Sequence, residues 1–259
     1  MKKVFSYLVL AGSCFSLMAC GQTTKNSSVT NTSETNRKEI KVNYYDTDGK
    51  TLLKNEKVNS IKDILKFKPE KQGKNFEGWY VKPDYSRKFT DKIEVKSVLS
   101  LYAGFSTYKA DKREFIILGK GKSPTLKTSN WGAVVNDTHK MKKEEQANSN
   151  IYKITVDLEA GDEFQFAINN KWENQRGFGY LQTTKKDGVS YFENSGGIGE
   201  VSSKRANIKV VKPGTYTFTL VTHPAEDTYD TKNEKYTELK KEAFNMNPFD
   251  TIFWDYTKK

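Results

Sequence analysis

Residues 150–168 read "NIYKITVDLEAGDEFQFAI". Tyr152, Ile154, Val156 and Leu158 alternate with Lys153, Thr155, Asp157 and Glu159. A period of two sends alternate side chains to opposite faces of an extended chain, so this half is a strand with one buried side. Glu159 to Asp162 supplies a turn around Gly161, after which Phe164, Phe166 and Ile168 resume the alternation. Strand, turn, strand: the segment sets the fold class of everything around it.

The same rhythm continues outward in both directions. "REFIILGKG" (residues 113–121) opens the region, and "ANIKVVKPGTYTFTLVTH" (206–223) gives a strand, a Pro-Gly turn and a strand burying Tyr216, Phe218 and Leu220. "DTIFWDYT" (250–257) closes the chain with another strand. Short strands separated by turn signals predict a β-sandwich over residues 109–259. One segment departs from the rhythm: Tyr236, Leu239, Ala243 and Phe244 sit at helical spacing, which predicts a helix over 233–246.

Residues 39–108 form a smaller unit. "IKVNYYDTDGKTLLKNEKV" (40–58) reads as a hairpin turning at Asp46 to Gly49, and "NSIKDILKF" (59–67) as a short helix starting at Asn59 or Ser60. "FEGWY" (Phe76–Tyr80) followed by "LYAGF" (Leu101–Phe105) resembles the repeat of Listeria and Bacteroides surface proteins, including the internalin B-repeat. That resemblance covers nearly all of 39–106 and implies a small β-grasp-like fold in one copy. Trp79 and Tyr80 are expected in its core, because aromatic rings dominate the area a small core can bury.

The amino terminus carries export chemistry. Lys2 and Lys3 precede the apolar run "VFSYLVLAGSCFSLMA", a secretory signal over residues 1–19. "LMAC" (Leu17–Cys20) resembles the lipobox of bacterial lipoproteins, which implies acylation of Cys20 and a mature chain starting there. The only other cysteine, Cys14, would be removed with the signal, so disulfides and cysteine metal sites are excluded. Residues 20–38, rich in Ser, Thr and Asn, read as a flexible tether spanning ~23 Å. The expected location is the outer face of the cell membrane, held by lipid and not threaded through it.

The chain of 259 residues has a net charge of +11, mostly from lysine, with no compact basic stripe. Nucleic acid is therefore not the expected partner. "LGKGKS" (Leu118–Ser123) fails the phosphate-loop pattern, which requires glycine where Ile116 stands, and reads as a mobile basic loop. "DTDG" (Asp46–Gly49) meets its glycine too early for a calcium loop. His139 and His223 are the only histidines, and neither HExxH nor GxSxG occurs. The reading is a protein that is not an enzyme and takes no cofactor or metal.

What remains is "AINNKWENQRGFGY" (residues 167–180). A sugar offers one apolar face and a rim of hydroxyls, which an aromatic plane and two-way amide donors complement. Trp172 and Tyr180 supply planes; Lys171, Asn174, Gln175 and Arg176 supply polar groups; Gly177 and Gly179 let the backbone approach. Composition alone leaves Trp172 equally suited to capping the sandwich core. The run "GDEFQFAINNKWENQRGFG", then "ANIKVVKPGTYTFTL", resembles the surface starch-binding proteins of the Bacteroides starch-utilisation system. That resemblance covers about 113–230. It implies an immunoglobulin-like sandwich that binds an α-glucan through Trp172, with Trp131 of "SNWGA" or Tyr180 as a second platform and Lys171, Asn174 and Gln175 on the hydroxyl rim. The strand would be core up to Ile168 and ligand surface from Asn169 onward. A neighbouring transporter or hydrolase would fit such a role. The alternative is a surface adhesin or spacer that meets a protein partner.

Overall fold

Asp48 folds the first hairpin: its carboxylate accepts the backbone N–H groups of Lys50 and Thr51 at 2.9 and 2.8 Å. This closes the turn between β1 (Ile40–Tyr45) and β2 (Leu52–Val58), which pair antiparallel. Ser60 caps α1 (Ile61–Ile64) by accepting the Asp63 N–H, so the helix starts where the sequence places it. β3 (Asn75–Tyr80) and β4 (Val98–Ser106) complete a sheet of order β2-β1-β4-β3, with β1 and β4 parallel. Two hairpins around a parallel central pair, with a helix between them, make the expected β-grasp arrangement. Val42, Tyr44, Ile64, Trp79, Leu101 and Ala103 are buried in its core.

The computed structural model describes residues 39–85, 87–91, 93–168, 171–196, 206–227 and 247–258, without the side chains of 171–174. The segments expected as signal and tether, Cys20 and the helix expected over 233–246 lie outside the described residues.

The remaining described chain is a β-sandwich. In order it contains β5 (Phe115–Lys120), α2 (Pro124–Ser129), β6 (Lys142–Glu144), β7 (Ile151–Leu158), β8 (Glu163–Ile168) and β9 (Lys171–Arg176). The short β10 (Lys185–Lys186), β11 (Val189–Ser190) and β12 (Phe192–Asn194) follow, then β13 (Ile208–Val210), β14 (Gly214–Val221) and β15 (Thr251–Thr257). One antiparallel sheet has the order β12-β13-β8-β5, with β9 also paired to β8; the other has the order β15-β14-β7-β6. The turn at 159–162 therefore passes the chain from one sheet to the other.

Alternation becomes burial as read. Tyr152, Ile154, Val156 and Leu158 point inward from β7, and Tyr216, Phe218 and Leu220 from β14. They meet Phe164, Phe166 and Ile168 of β8, with the rings of Phe166 and Phe218 edge to face at 5.5 Å. Each such aromatic contributes roughly 1.5–3 kcal/mol by leaving water.

Two segments depart from the sequence reading. "LGKGKS" is not a free loop. A Cβ on Gly119 would lie 2.1 Å from the Glu163 carbonyl, and one on Gly121 would lie 2.0 Å from the Asp162 carboxylate. Asp162 also accepts the Lys122 N–H at 2.7 Å, and the chain runs on into α2. The glycines serve close packing on β8, which pattern alone does not distinguish from mobility. The second departure is at Asn169, where the surface was expected to begin. Residues 171–176 return as β9, and Phe166 pairs with Arg176 and Ile168 with Lys171.

Candidate functional site

Two features of the fold bear chemistry: the outer edge carrying the sequence-predicted aromatic residues, and a charged seam between the β-grasp sheet and the sandwich. The edge is organised by β8. On one side β8 pairs with β5 over its whole length, and on the other its carboxyl end pairs with β9. Ser129 fixes the end of α2 to β5, donating to the Gly119 carbonyl at 2.8 Å while accepting the Gly119 N–H at 3.0 Å. Beyond it come Asn130, Trp131 and Gly132 with φ of 35°, 56° and 92°. Left-handed backbone costs a non-glycine residue roughly 1–2 kcal/mol, so Asn130 and Trp131 are held there by their surroundings. Trp131 remains half-exposed.

The predicted site residues separate into three groups. Lys171, Trp172 and Asn174 stand on β9, and their side chains lie outside the described residues, as do Asn169 and Asn170. Trp131 is displayed at the β5 edge. Tyr180 and Gln175 are each only 3 % exposed. Tyr180 cannot be a second platform: its ring is buried, with the Arg176 guanidinium 5.1 Å from its centroid. Gln175 is too buried to reach a ligand's hydroxyl rim. Both corrections have one cause, since β9 carries the chain back against the protein instead of releasing it to solvent.

Arg176, at the end of β9, is fully buried and belongs to the seam. Its Nε donates to Asp250 at 2.6 Å and its Nη2 to Asp227 at 3.3 Å. Asp227 also accepts Arg113 Nη1 at 2.7 Å, and Arg113 grips both oxygens of Asp111 at 2.8 and 2.6 Å. Burial disfavours the charges at Arg176 and Asp250, but their mutual attraction outweighs it. The carboxyl of Asp250 is held below its usual range and the guanidinium above its own.

His223 extends the seam to the β-grasp sheet. Its Nε2 is 3.2 Å from Glu77 on β3, and its Nδ1 is 3.5 Å from Asp250. The second distance is one of ion pairing, since the same Asp250 oxygen accepts the His223 backbone N–H at 2.7 Å. Burial would lower the imidazole, but Asp250 and Glu77 push it up to about 9. Asn247 sets Asp250 in place, accepting the N–H groups of Phe249 and Asp250, each at 3.2 Å. Phe249 then packs edge-on against Tyr80 at 5.9 Å, and a Cβ on Gly104 would touch both rings. The tryptophan of "FEGWY" is in the core as expected: Trp79 is 2 % exposed and donates to the Phe67 carbonyl at 2.9 Å.

Residues 41–104 match the Listeria–Bacteroides repeat domain. Glu77, Tyr80 and Gly104 thus face the sandwich from within the repeat domain itself. Neither a curated protein nor a solved structure matches the chain.

The chemistry available to the histidines follows from their partners. His223 faces carboxylates with both nitrogens, and the Ser106 hydroxyl donates to Glu77 and not to the imidazole. No relay from serine to histidine is formed there. His139 accepts the Asn136 N–H at 3.1 Å through Nδ1 and meets the Thr125 carbonyl at 3.0 Å through Nε2, so both nitrogens hold a turn together. Among the described residues, no group of three or more His, Asp or Glu is arranged to hold a metal ion. Sequence reasoning missed the seam. Its signals were faint: a lone arginine ending "KWENQR", and "NPFD" before the last strand.

Proposed function

We propose that this protein is a lipid-anchored, surface-displayed glycan-binding protein, with an α-glucan as ligand and the sandwich as binding module. The observation that carries this reading is the placement of two tryptophans on the segments flanking β8. Trp131 is half-exposed on left-handed backbone beyond β5, and Trp172 is carried by β9 on the other side. By strand register, Ser129 beside Trp131 sits at the level of Gly119 and Phe164, whereas Trp172 follows the Ile168–Lys171 pair. Four residues of strand separate these backbone levels along β8, about 13 Å of rise, a spacing on the scale of an oligosaccharide. Lys171 and Asn174 flank Trp172 in sequence as donors for the hydroxyl rim. Cys20 would carry the lipid and residues 20–38 the tether.

The alternative of a protein partner has its own support in β2. This strand is an edge of the repeat sheet, and it exposes Leu52 and Leu53. Unpaired edge strands are templates for pairing with another chain.

Titration calorimetry with maltoheptaose against a β-linked glucan of the same length distinguishes the readings. The expected result is binding of maltoheptaose by the full chain, weakened about 30-fold by Trp172→Ala with cooperative melting retained, as loss of ~2 kcal/mol at an aromatic hot spot implies. No binding of either sugar by the wild-type chain would sink the glycan reading.

A further inference from the structure

We propose that His223 is a proton-operated tie between the repeat domain and the sandwich. Charged, it holds the two as one body; neutral, it lets them separate. The inference is independent of the glycan reading and starts from geometry. The two ring nitrogens face carboxylates from opposite sides of the seam: Glu77 on β3 of the repeat domain, and Asp250 at the entry to β15 of the sandwich. Only the imidazolium carries a proton on both nitrogens. A neutral ring keeps one N–H, which can stay on Glu77, and turns a lone pair toward Asp250, so loss of the proton removes the positive charge that draws the two carboxylates together and leaves a single hydrogen bond across the seam.

The groups around the ring leave little to take over its role. On the sandwich side, Asp250 is already shared with Arg176, and the next charges in line are Asp227, Arg113 and Asp111. On the repeat side, Glu77 accepts the Ser106 hydroxyl, and Lys88 is the nearby cation that favours its charge. Glu226, beside the ring in sequence, accepts the Thr107 N–H at 2.9 Å. Tyr80 and Tyr180 are pushed upward by burial, as is Tyr85, so their hydroxyls stay protonated where the imidazole titrates. Asp111, Asp227 and Asp250 face the two guanidiniums, and the imidazolium lies between Asp250 and Glu77. Its loss removes the cation that lies between Glu77 and Asp250, leaving Lys88 as the described cation that favours the charge of Glu77. Among the described residues, the Phe249 contact with Tyr80 and Tyr85 and the Thr107–Glu226 bond also join the modules.

The test uses the full chain. Histidine NMR reads the imidazole midpoint, assigned by its disappearance in His223→Gln, and scanning calorimetry reads whether repeat domain and sandwich unfold together. The expected results are a midpoint near 9, a single transition at neutral pH, and two resolved transitions above the midpoint. Glu77→Gln removes the tie from the repeat side while leaving Arg176–Asp250 intact. It is expected to return the midpoint toward the ordinary 6.5 and to separate the transitions already at neutral pH. Should His223→Gln fail to fold, Glu77→Gln carries the test, because Glu77 sits outside both hydrophobic cores. A wild-type chain that melts in one transition on both sides of the midpoint overturns the proposal. So does a Glu77→Gln chain with an unmoved midpoint and a single transition.

Discussion

The buried end of β9 contrasts with the end proposed to meet a ligand. At its carboxyl end Gln175 and Arg176 are buried, and Arg176 is locked into a row of ion pairs reaching from Asp111 to Asp250. At its amino end stand Lys171, Trp172 and Asn174, the residues assigned here to a ligand. The six residues of β9 thus include two that hold the fold and three that the proposed function gives to a ligand. Polarity at Gln175 and Arg176 therefore does not report exposure. A guanidinium can be drawn into the interior where carboxylates from distant parts of the chain converge on it.

The largest effect expected on this comparison is at the buried end. Arg176→Ala takes from Asp250 its guanidinium, and removing one partner of a buried pair costs about 3–5 kcal/mol. Urea unfolding reads this directly. A loss below about 1 kcal/mol would mean that this end of β9 is no more structural than the other.

The next effect is one of pH. The imidazole of His223 has its proton affinity raised on folding, so its contribution is complete below the ordinary midpoint of 6.5 and is lost as pH rises through about 9. The amount is on the order of 3 kcal/mol for a shift of this size. Glu77 and Asp250 shift the other way, because their cationic partners outweigh burial. Their contributions are present above the ordinary carboxylate range and disappear in acid. Stability measured against pH should therefore form a plateau in weak acid, falling away on both sides. A curve flat from neutral to alkaline pH contradicts the assignment of His223.

Smaller effects sharpen the division. Trp131→Ala is expected to weaken maltoheptaose about tenfold, or ~1.4 kcal/mol, with little change in melting, since the ring is half-exposed. Tyr180→Phe should do the reverse: sugar affinity unchanged, stability lower by about 1 kcal/mol for a buried hydroxyl's bond. If Tyr180→Phe weakens the sugar and leaves melting alone, the buried end of β9 reaches the ligand after all.

The sequence made most of the fold readable. Period-two alternation in 151–158, 163–168 and 214–221 located three long strands and their inward faces, because burial in a sandwich has that period. "FEGWY" and "LYAGF" located the repeat domain, and "NS" (Asn59 or Ser60) the start of its helix, which Ser60 caps. Three things were not readable. β9 was hidden because an edge strand with amides, a lysine and an arginine has no apolar alternation to detect. α2 was hidden because its six residues, PTLKTS, are too few for a helical period to emerge. The seam was hidden because its members, from Glu77 to Asp250, are far apart in the chain, and charge pairing at long range leaves no local pattern. The same reason explains the misplacement of Tyr180, whose burial depends on Arg176 and on the segment before β15.

The measurement that bears most directly on the functional account is calorimetric titration of maltoheptaose into the full chain and its Trp172→Ala variant, with a thermal melt of each. The account expects sugar binding by the wild type, about 30-fold weaker binding by the variant, and melting that stays cooperative within about 1 kcal/mol. It is contradicted if the wild type binds no sugar. It is equally contradicted if Trp172→Ala costs the ~3–5 kcal/mol typical of an emptied core position while the remaining folded protein binds as before.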